Sequence, residues 1–138
     1  MRNTGHYLEK AVEDELKKNT ETSRHWRRLH DGKAALTYMP AQPSDFFLCI
    51  NEEPSHFECK SQKGKTFRLK KFSQLPDMKR WSDSGVRGYV LVHFWELGEE
   101  LIVVDVDNLD PSKPSWVLDG VGKKAGSIKE ALSIIGWK

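Results

Sequence analysis

The sequence contains few cysteines, no long apolar run and little net charge. Its two cysteines, Cys49 and Cys59, stand in apolar runs without C-x-x-C spacing, so we expect reduced core residues rather than a zinc site. No apolar run approaches the length of a membrane span or of a signal sequence, so we expect a cytoplasmic protein with no membrane partner. The net charge of +2 does not by itself indicate a nucleic-acid partner.

The composition is that of a globular domain. With 138 residues, of which 38% are hydrophobic and 30% charged, we expect one domain, residues 1–138, around a single core. The charges are unevenly distributed along the chain: residues 24–33 and 60–71 are basic, whereas residues 9–15 and 99–110 are rich in acids. This clustering points to a basic surface more directly than the net charge does.

Apolar periodicity predicts a mixed α/β fold in which helices pack against a central sheet. Leu8, Val12 and Leu16 repeat at helical spacing, and Ser127 with Glu130 forms a capping box before a last helix. The predicted helices cover residues 4–18, 72–84 and 127–137, and the predicted strands cover residues 34–40, 44–50, 56–60, 88–95 and 100–106. Residues 51–55 turn the chain, which makes the second and third strands a hairpin. Residues 19–33 are predicted to be a polar connection, and residues 108–126 are loop-rich.

The strand at residues 56–60 places an acid and a base on one face. Side chains alternate along a strand, so Glu58 and Lys60 point together while Phe57 and Cys59 point inward. Asp45 stands at the mouth of the same hairpin. Two carboxylates brought together there can hold Mg²⁺, which favours oxygen ligands, and Lys60 can orient a water molecule or stabilise developing charge.

Two interpretations of the Glu58-x-Lys60 pattern remain open from the residues alone. One is an ion pair on the surface of a strand, which this short pattern often represents. The other is a metal-dependent site for phosphodiester cleavage, favoured by Asp45 thirteen residues upstream and by the basic run that follows. Basic side chains on both sides of the pattern are candidate phosphate contacts: Arg24, Arg27, Arg28, Lys63, Lys65, Arg68, Lys70 and Lys71.

The segments PSDFFLCI and HFECK resemble the signature of the PD-(D/E)xK nuclease superfamily. Within it the likeness is to Holliday junction resolvases of the archaeal Hjc and bacterial RecU kind, and TGHYLEKAV is similar to their N-terminal helix. The resemblance covers about residues 3–107, and residues 108–138 form a C-terminal extension without a counterpart. Two departures are a serine between Pro43 and Asp45 and a short interval from Glu9 to Asp45. That interval is close to the archaeal length and also fits compact resolvases encoded by phages, which would act in the host cytoplasm.

The resemblance implies a restriction-endonuclease-like fold and a Mg²⁺-dependent endodeoxyribonuclease, with Mn²⁺ as a substitute metal. The implied substrate is a four-way DNA junction, whose two-fold symmetry implies cutting by a homodimer. The apolar strands 89–95 and 101–106 and the N-terminal helix are candidate interface material, and burial in the core of the monomer explains them equally well. The implied catalytic residues are Glu9, Asp45, Glu58, Lys60 and Gln74, and the implied metal ligands are Glu9, Asp45, Glu58 and the backbone carbonyl of Cys59. The alternatives are a restriction-like or repair nuclease on duplex, flap or nicked DNA, and a non-catalytic DNA-binding module.

Overall fold

The computed structural model describes residues 5–18, 24–29, 44–96, 100–117 and 121–137. Three helices are present in these ranges: α1 (Gly5–Lys17), α2 (Leu75–Asp83) and α3 (Ile128–Ile135). The strands are β1 (Arg24–Arg28), β2 (Phe46–Ile50), β3 (Glu53–Gln62), β4 (Thr66–Arg68), β5 (Arg87–Phe94), β6 (Glu100–Asp105), β7 (Ser115–Val117) and β8 (Lys123–Ala125). Short 3-10 turns follow β4 and β6. No helix in the described ranges is long and apolar enough to cross a bilayer.

A six-stranded mixed sheet organises the chain. Its strand order is β1-β2-β3-β5-β6-β8, and every neighbouring pair is antiparallel except β3 with β5. The parallel pair needs a crossover connection, which β4, a 3-10 turn and α2 supply. β4 pairs with β7 in a separate two-stranded sheet. The predicted mixed α/β class is confirmed.

The hairpin of β2 and β3 sets the register on which the site depends. Ile50 pairs with Glu53, so the loop has two residues, and Asn51 and Glu52 both have positive φ values, 50° and 69°. This is the backbone of a type I′ turn, whose twist matches that of the flanking strands. The same register pairs Phe46 with Phe57, and this brings Asp45, the residue before β2, beside Glu58. The predicted hairpin is confirmed, and β3 begins three residues earlier than expected.

Each face of the sheet carries its own apolar cluster, and we name the faces after the helices that cover them. On the α1 face, α1 and α3 pack over the sheet, and the cluster includes Leu8, Val12 and Leu16 of α1, Phe57, Cys59 and Leu91 of the strands, and Ala131 and Leu132 of α3. On the α2 face, α2 and the β4 region pack over β5 and β6, with Phe67, Phe72, Leu75, Met78, Val90, Val92, Ile102 and Val104. β5 and β6 are therefore buried between two layers. Their apolar residues form the core of the monomer, which leaves those strands unavailable as the dimer interface considered from the sequence.

Three expectations from the sequence were wrong. The polar connection contains β1, which pairs with β2. Trp26 is the only apolar residue of β1, but alternating side chains in Arg24–Arg28 partly bury one side of the strand. The loop-rich tail contains β7 and β8. Cys49 is exposed rather than part of the core, since it lies on the α2 face of β2, whereas Cys59 is buried as expected. The predicted strand at 34–40 lies outside the described residues.

The predicted start of α3 is confirmed, whereas α2 begins at Leu75, three residues later than predicted. Pro76 lies in the first turn of α2, where its missing N–H costs no hydrogen bond. At α3 the Ser127 hydroxyl accepts a hydrogen bond from the Glu130 N–H at 3.1 Å. The Glu130 carboxylate in turn accepts from the Gly126 N–H at 2.9 Å, one residue before the expected capping-box partner. Both helix starts are thus fixed by local chemistry.

Candidate active site

Asp45 is held by three hydrogen bonds between β1 and β3. Its N–H donates to the Phe57 carbonyl at 3.2 Å, and its own carbonyl accepts from the Leu29 N–H at 2.7 Å. Its carboxylate oxygen Oδ2 accepts from the Cys59 N–H at 2.8 Å. The side chain therefore takes the place of a strand partner along the part of β3 that extends beyond β2. Both the backbone and the carboxylate of Asp45 are fixed.

Glu58 is a buried carboxylate beside Asp45. It is 4% exposed, and its Oε1 atom has no hydrogen-bond donor among the described residues. Its other oxygen, Oε2, lies 3.2 Å from the Lys60 ammonium, which also lies 5.8 Å from the centre of the Phe72 ring. The predicted arrangement of Glu58 and Lys60 on one face is confirmed. Because Glu58 is buried, the pair is not an ordinary ion pair on a solvated strand surface.

The two carboxyl groups perturb one another. The pKa of Glu58 is raised to about 8, chiefly by burial and next by the charge of Asp45, while Lys60 acts in the opposite direction. The pKa of Asp45 is raised to about 6, chiefly by burial, with the Cys59 N–H lowering it and the charge of Glu9 raising it. A buried and a half-buried carboxyl in contact favour sharing one proton over carrying two charges. A bound cation would remove that preference.

Glu9 reaches the same region from α1 and is bound by an arginine of β1. Arg28 donates to Glu9 at 3.3 Å and to Glu13 at 3.1 Å, and all three side chains are largely buried. The charge of Glu9 contributes to the raised pKa of Asp45, so Glu9 lies at the edge of the acidic pair. We call Glu9, Asp45 and Glu58 the acidic cluster. Arg28, considered from the sequence as a phosphate contact, supplies a fixed positive charge at its edge.

The fit of these residues to a divalent metal depends on how many protein ligands the metal takes. In the described ranges no group of three or more His, Cys, Asp or Glu side chains is arranged around a single metal position. Mg²⁺ in proteins, however, often takes only one or two carboxylates and completes its shell with water and substrate phosphate. Asp45 and Glu58 provide two hard oxygen donors, one of them an oxygen without a donor partner, in a pocket that disfavours two uncompensated charges. The pair fits such a cation.

The Cys59 carbonyl and Gln74 have different positions relative to this pair. The Cys59 N–H points to Asp45, and because the N–H and C=O of a strand residue point to the same edge, its carbonyl faces that edge too. Gln74 is half-buried at the N-terminus of α2, where its side chain accepts a hydrogen bond from Ser73 at 3.3 Å. No hydrogen bond in the described part of the chain joins Gln74 to the acidic cluster. Its catalytic role stays a prediction.

The basic residues divide into an exposed set and a packed set. Lys65, Arg68 and Lys70 are exposed in the segment that follows β3, and Lys63 is an exposed lysine 3.7 Å from Glu96. Arg27 is also exposed, on the α2 face of β1. Arg24 is half-buried, with its guanidinium 5.2 Å from the Trp137 ring centre. The Lys71 side chain lies outside the described residues. The exposed set starts three residues after Lys60.

Sequence reasoning missed two contributors to the site. Arg28 was treated as solvent-facing, yet alternation along β1 places Arg24, Trp26 and Arg28 on one face, and this pattern identifies Arg28 as inward-facing. The second is a buried hydrogen bond between Ser44 and His56, next to Asp45. Nothing in the sequence pairs these two residues until the hairpin register is known.

No protein-family model matches the chain, and a search of the curated proteins finds no match.

Proposed function

We propose that this protein is a Mg²⁺-dependent endodeoxyribonuclease of the PD-(D/E)xK superfamily, with a restriction-endonuclease-like fold, that resolves four-way DNA junctions as a homodimer. One observation carries the proposal: Glu58 is 4% exposed, lies against Asp45 and stands 3.2 Å from Lys60 on the same strand. The mixed sheet, the hairpin of β2 and β3 and the helical crossover to β5 support the proposed fold.

A structural ion pair does not account for this arrangement. Burying a carboxylate is costly unless its charge is compensated, and Lys60 compensates only one charge. A second carboxyl against Glu58 raises its pKa and makes the metal-free site less favourable still. Such unfavourable electrostatics occur in functional sites more often than in structural ion pairs, because a ligand supplies the missing charge. This favours a cation-binding site over the non-catalytic interpretation.

Each group has a role that follows from its position. Asp45 and Glu58 would hold the metal ion, with the Cys59 carbonyl at the same edge and Glu9 beside them. When bound, Mg²⁺ supplies charge neutralisation at the phosphate and lowers the pKa of a coordinated water. The Lys60 ammonium, fixed by Glu58 and packed on Phe72, can donate a hydrogen bond to the attacking water or to a phosphate oxygen. The exposed lysines and arginine after β3 bind the flanking phosphates.

The substrate part of the proposal rests on the resemblance and on symmetry. A four-way junction has two equivalent strands to cut, and one chain carries one pair of Asp45 and Glu58, so paired cutting needs two chains related by a two-fold axis. Mixing wild-type chains with Glu58→Gln chains tests this on a supercoiled cruciform plasmid. Mixed dimers should nick one strand without completing resolution, whereas a monomeric enzyme would give linear product in proportion to its wild-type fraction.

Comparing substrates of identical sequence tests the function. A labelled four-way junction and the linear duplexes that make up its arms are incubated with the protein in Mg²⁺, in Mn²⁺ and in chelator. We expect cleavage of the junction alone, paired across the crossover and dependent on the metal. Equal cleavage of the linear duplexes would support a restriction-like or repair nuclease and rule out a junction-selective enzyme. Binding without cleavage under every metal condition would support the non-catalytic DNA-binding module.

A further inference from the structure

The residue immediately before Asp45 is anchored by its side chain. Ser44 is 3% exposed, and its hydroxyl donates to the Phe46 carbonyl at 3.4 Å. The same oxygen lies 3.0 Å from Nδ1 of His56 on β3. One hydroxyl thus joins the residues on both sides of Asp45 to each other and to the neighbouring strand.

His56 is fixed within the α2 face of the sheet. It is fully buried and directly opposite Phe47 in the register, with ring centres 4.9 Å apart. The Trp81 ring lies 6.3 Å from the His56 ring and 6.0 Å from the Phe47 ring, so the three rings form one cluster. Gly88 of β5 makes room for the imidazole, because a Cβ atom there would stand 3.2 Å from His56 Nε2. The ring therefore has little freedom to shift or turn, and its Nδ1 atom is a rigid partner for Ser44.

The proton of His56 is assigned from the hydrogen bonds of Ser44. With the Ser44 hydroxyl hydrogen directed to the Phe46 carbonyl, the Ser44 oxygen accepts from Nδ1–H, which assigns the neutral ring to the Nδ1–H tautomer. Nε2 then carries the lone pair, and it has no hydrogen-bond partner in the described part of the chain. A neutral imidazole in this orientation donates to Ser44, and no hydrogen bond among the described residues joins it to the carboxyls of Asp45 and Glu58. Its role is to hold the chain in place.

We propose that Ser44 and His56 are positioning residues for Asp45. They fix the chain immediately before and after it, and this directs the Asp45 carboxylate to the Cys59 N–H and toward Glu58. The consequence for metal binding and catalysis rests on the proposed nuclease function. The consequence for the direction of the carboxylate does not, since it concerns the metal-free protein alone.

Three variants separate positioning from general stability. Ser44→Ala removes the bridging hydroxyl at almost constant volume. His56→Leu removes the donor, and His56→Asn restores an N–H near the position of Nδ1. Ser55→Ala is the matched control, because Ser55 is also a buried serine of this hairpin but lies on β3 away from the neighbours of Asp45.

The first readout is hydrogen exchange of the Cys59 amide in the metal-free protein, followed by NMR relative to the core amides of Val90 and Leu91. We expect exchange at Cys59 to accelerate by about fivefold in Ser44→Ala, the effect of losing one hydrogen bond, while Ser55→Ala stays at the wild-type ratio. His56→Asn should lie between wild type and Ser44→Ala. Because each rate is referred to core amides of the same variant, a uniform loss of stability does not mimic this result.

The second readout is Mn²⁺ affinity from paramagnetic titration, with Mg²⁺-dependent cleavage beside it. Ser44→Ala should weaken Mn²⁺ binding by about fivefold and leave the cleavage rate at saturating metal within about twofold of wild type. If wild type cleaves no DNA, the nuclease proposal fails while the Cys59 amide still decides the positioning role. If Cys59 exchange and Mn²⁺ affinity in Ser44→Ala both match those of Ser55→Ala, the positioning role is overturned, even in an active nuclease.

Discussion

The carboxylate of Asp45 accepts a hydrogen bond at 2.8 Å from the backbone N–H of Cys59, the residue between Glu58 and Lys60. This single contact links the start of β2 to the part of β3 that extends past it. It also fixes how the two carboxyls meet, because Glu58 then lies against Asp45 and pairs with Lys60 through Oε2. The properties of the site follow from this pairing of an acid with an N–H that has no strand partner.

The metal-free protein should lose stability as the pH rises. The pKa of Glu58 is raised to about 8 and that of Asp45 to about 6. A raised carboxyl pKa contributes stability that is complete below the unfolded-state pKa near 4 and is lost as the pH passes through 6 and 8. Glu58→Gln, which cannot ionise, should therefore be more stable than wild type at pH 8, by about 2 kcal/mol.

Urea unfolding in chelator at pH 5 and pH 8 measures this difference, with Glu53→Gln, an exposed acid on the same strand, as the control. Glu53→Gln should follow the wild-type profile. A Glu58→Gln protein that is less stable than wild type at pH 8 would contradict the assigned electrostatics.

Lys60→Ala should slow the chemical step without loss of the metal. The ammonium is placed to act on the attacking water or a phosphate oxygen, and removing one such donor costs about 10²-fold in rate. Single-turnover cleavage at saturating Mg²⁺ measures the step, and Mn²⁺ titration measures the affinity. Lys63→Ala, which changes the same charge on an exposed side chain, should keep its rate once the DNA is saturating. Lost metal affinity with a normal rate at saturating metal would refute the role of Lys60.

The exposed lysines after β3 should act through phosphate neutralisation. Lys63→Ala with Lys65→Ala should weaken binding to all DNA sequences alike and flatten the slope of log affinity against log salt by about 0.9 for each phosphate that is no longer neutralised. Fluorescence anisotropy over a range of salt concentrations gives the slope. Lys123→Ala with Lys129→Ala removes the same charge from β8 and α3 and should leave the slope unchanged. Identical slopes for the two double variants would place this segment away from DNA.

Arg28 and its neighbour Arg27 should behave in opposite ways. Arg28 bridges Glu9 and Glu13 in a largely buried position, so Arg28→Ala removes the arginine partner of Glu9 and leaves Glu13 with Lys17 alone. The variant should destabilise the fold by about 2 kcal/mol. Arg27 is exposed, and Arg27→Ala should change stability by less than about 0.5 kcal/mol. Urea unfolding at pH 7 compares the two. Equal effects would mean that Arg28 is not the structural cation of the acidic cluster.

Much of the fold could be predicted because its signals are local. Helix α1 follows from the spacing of Leu8, Val12 and Leu16, and the last helix follows from Ser127 and Glu130. The hairpin follows from two apolar runs separated by turn residues. β1 was missed because its single apolar residue gives a weak pattern, and its pairing with β2 is made across nearly twenty residues of chain.

Part of the site was also predictable, because it depends on local patterns in the sequence. Alternation along β3 was sufficient to place Glu58 and Lys60 together, and the hairpin register brought Asp45 beside them. The burial of Glu58 and the inward direction of Arg28 depend on segments that fold over the sheet from elsewhere in the chain. Such contacts leave no periodic signal near the residues they affect, so sequence reasoning treated both side chains as more exposed than they are.

Cleavage by the carboxyl variants shows whether Asp45 and Glu58 hold the catalytic metal. Wild type, Asp45→Asn, Glu58→Gln and the control Glu53→Gln are compared on a labelled four-way junction in Mg²⁺, with binding measured on the same substrate. Asp45→Asn and Glu58→Gln should lose cleavage while binding the junction at least as tightly as wild type, because each removes a negative charge from the phosphate site. Glu53→Gln should cleave normally. A wild-type cleavage rate in either Asp45→Asn or Glu58→Gln would mean that these carboxyls do not hold the catalytic metal.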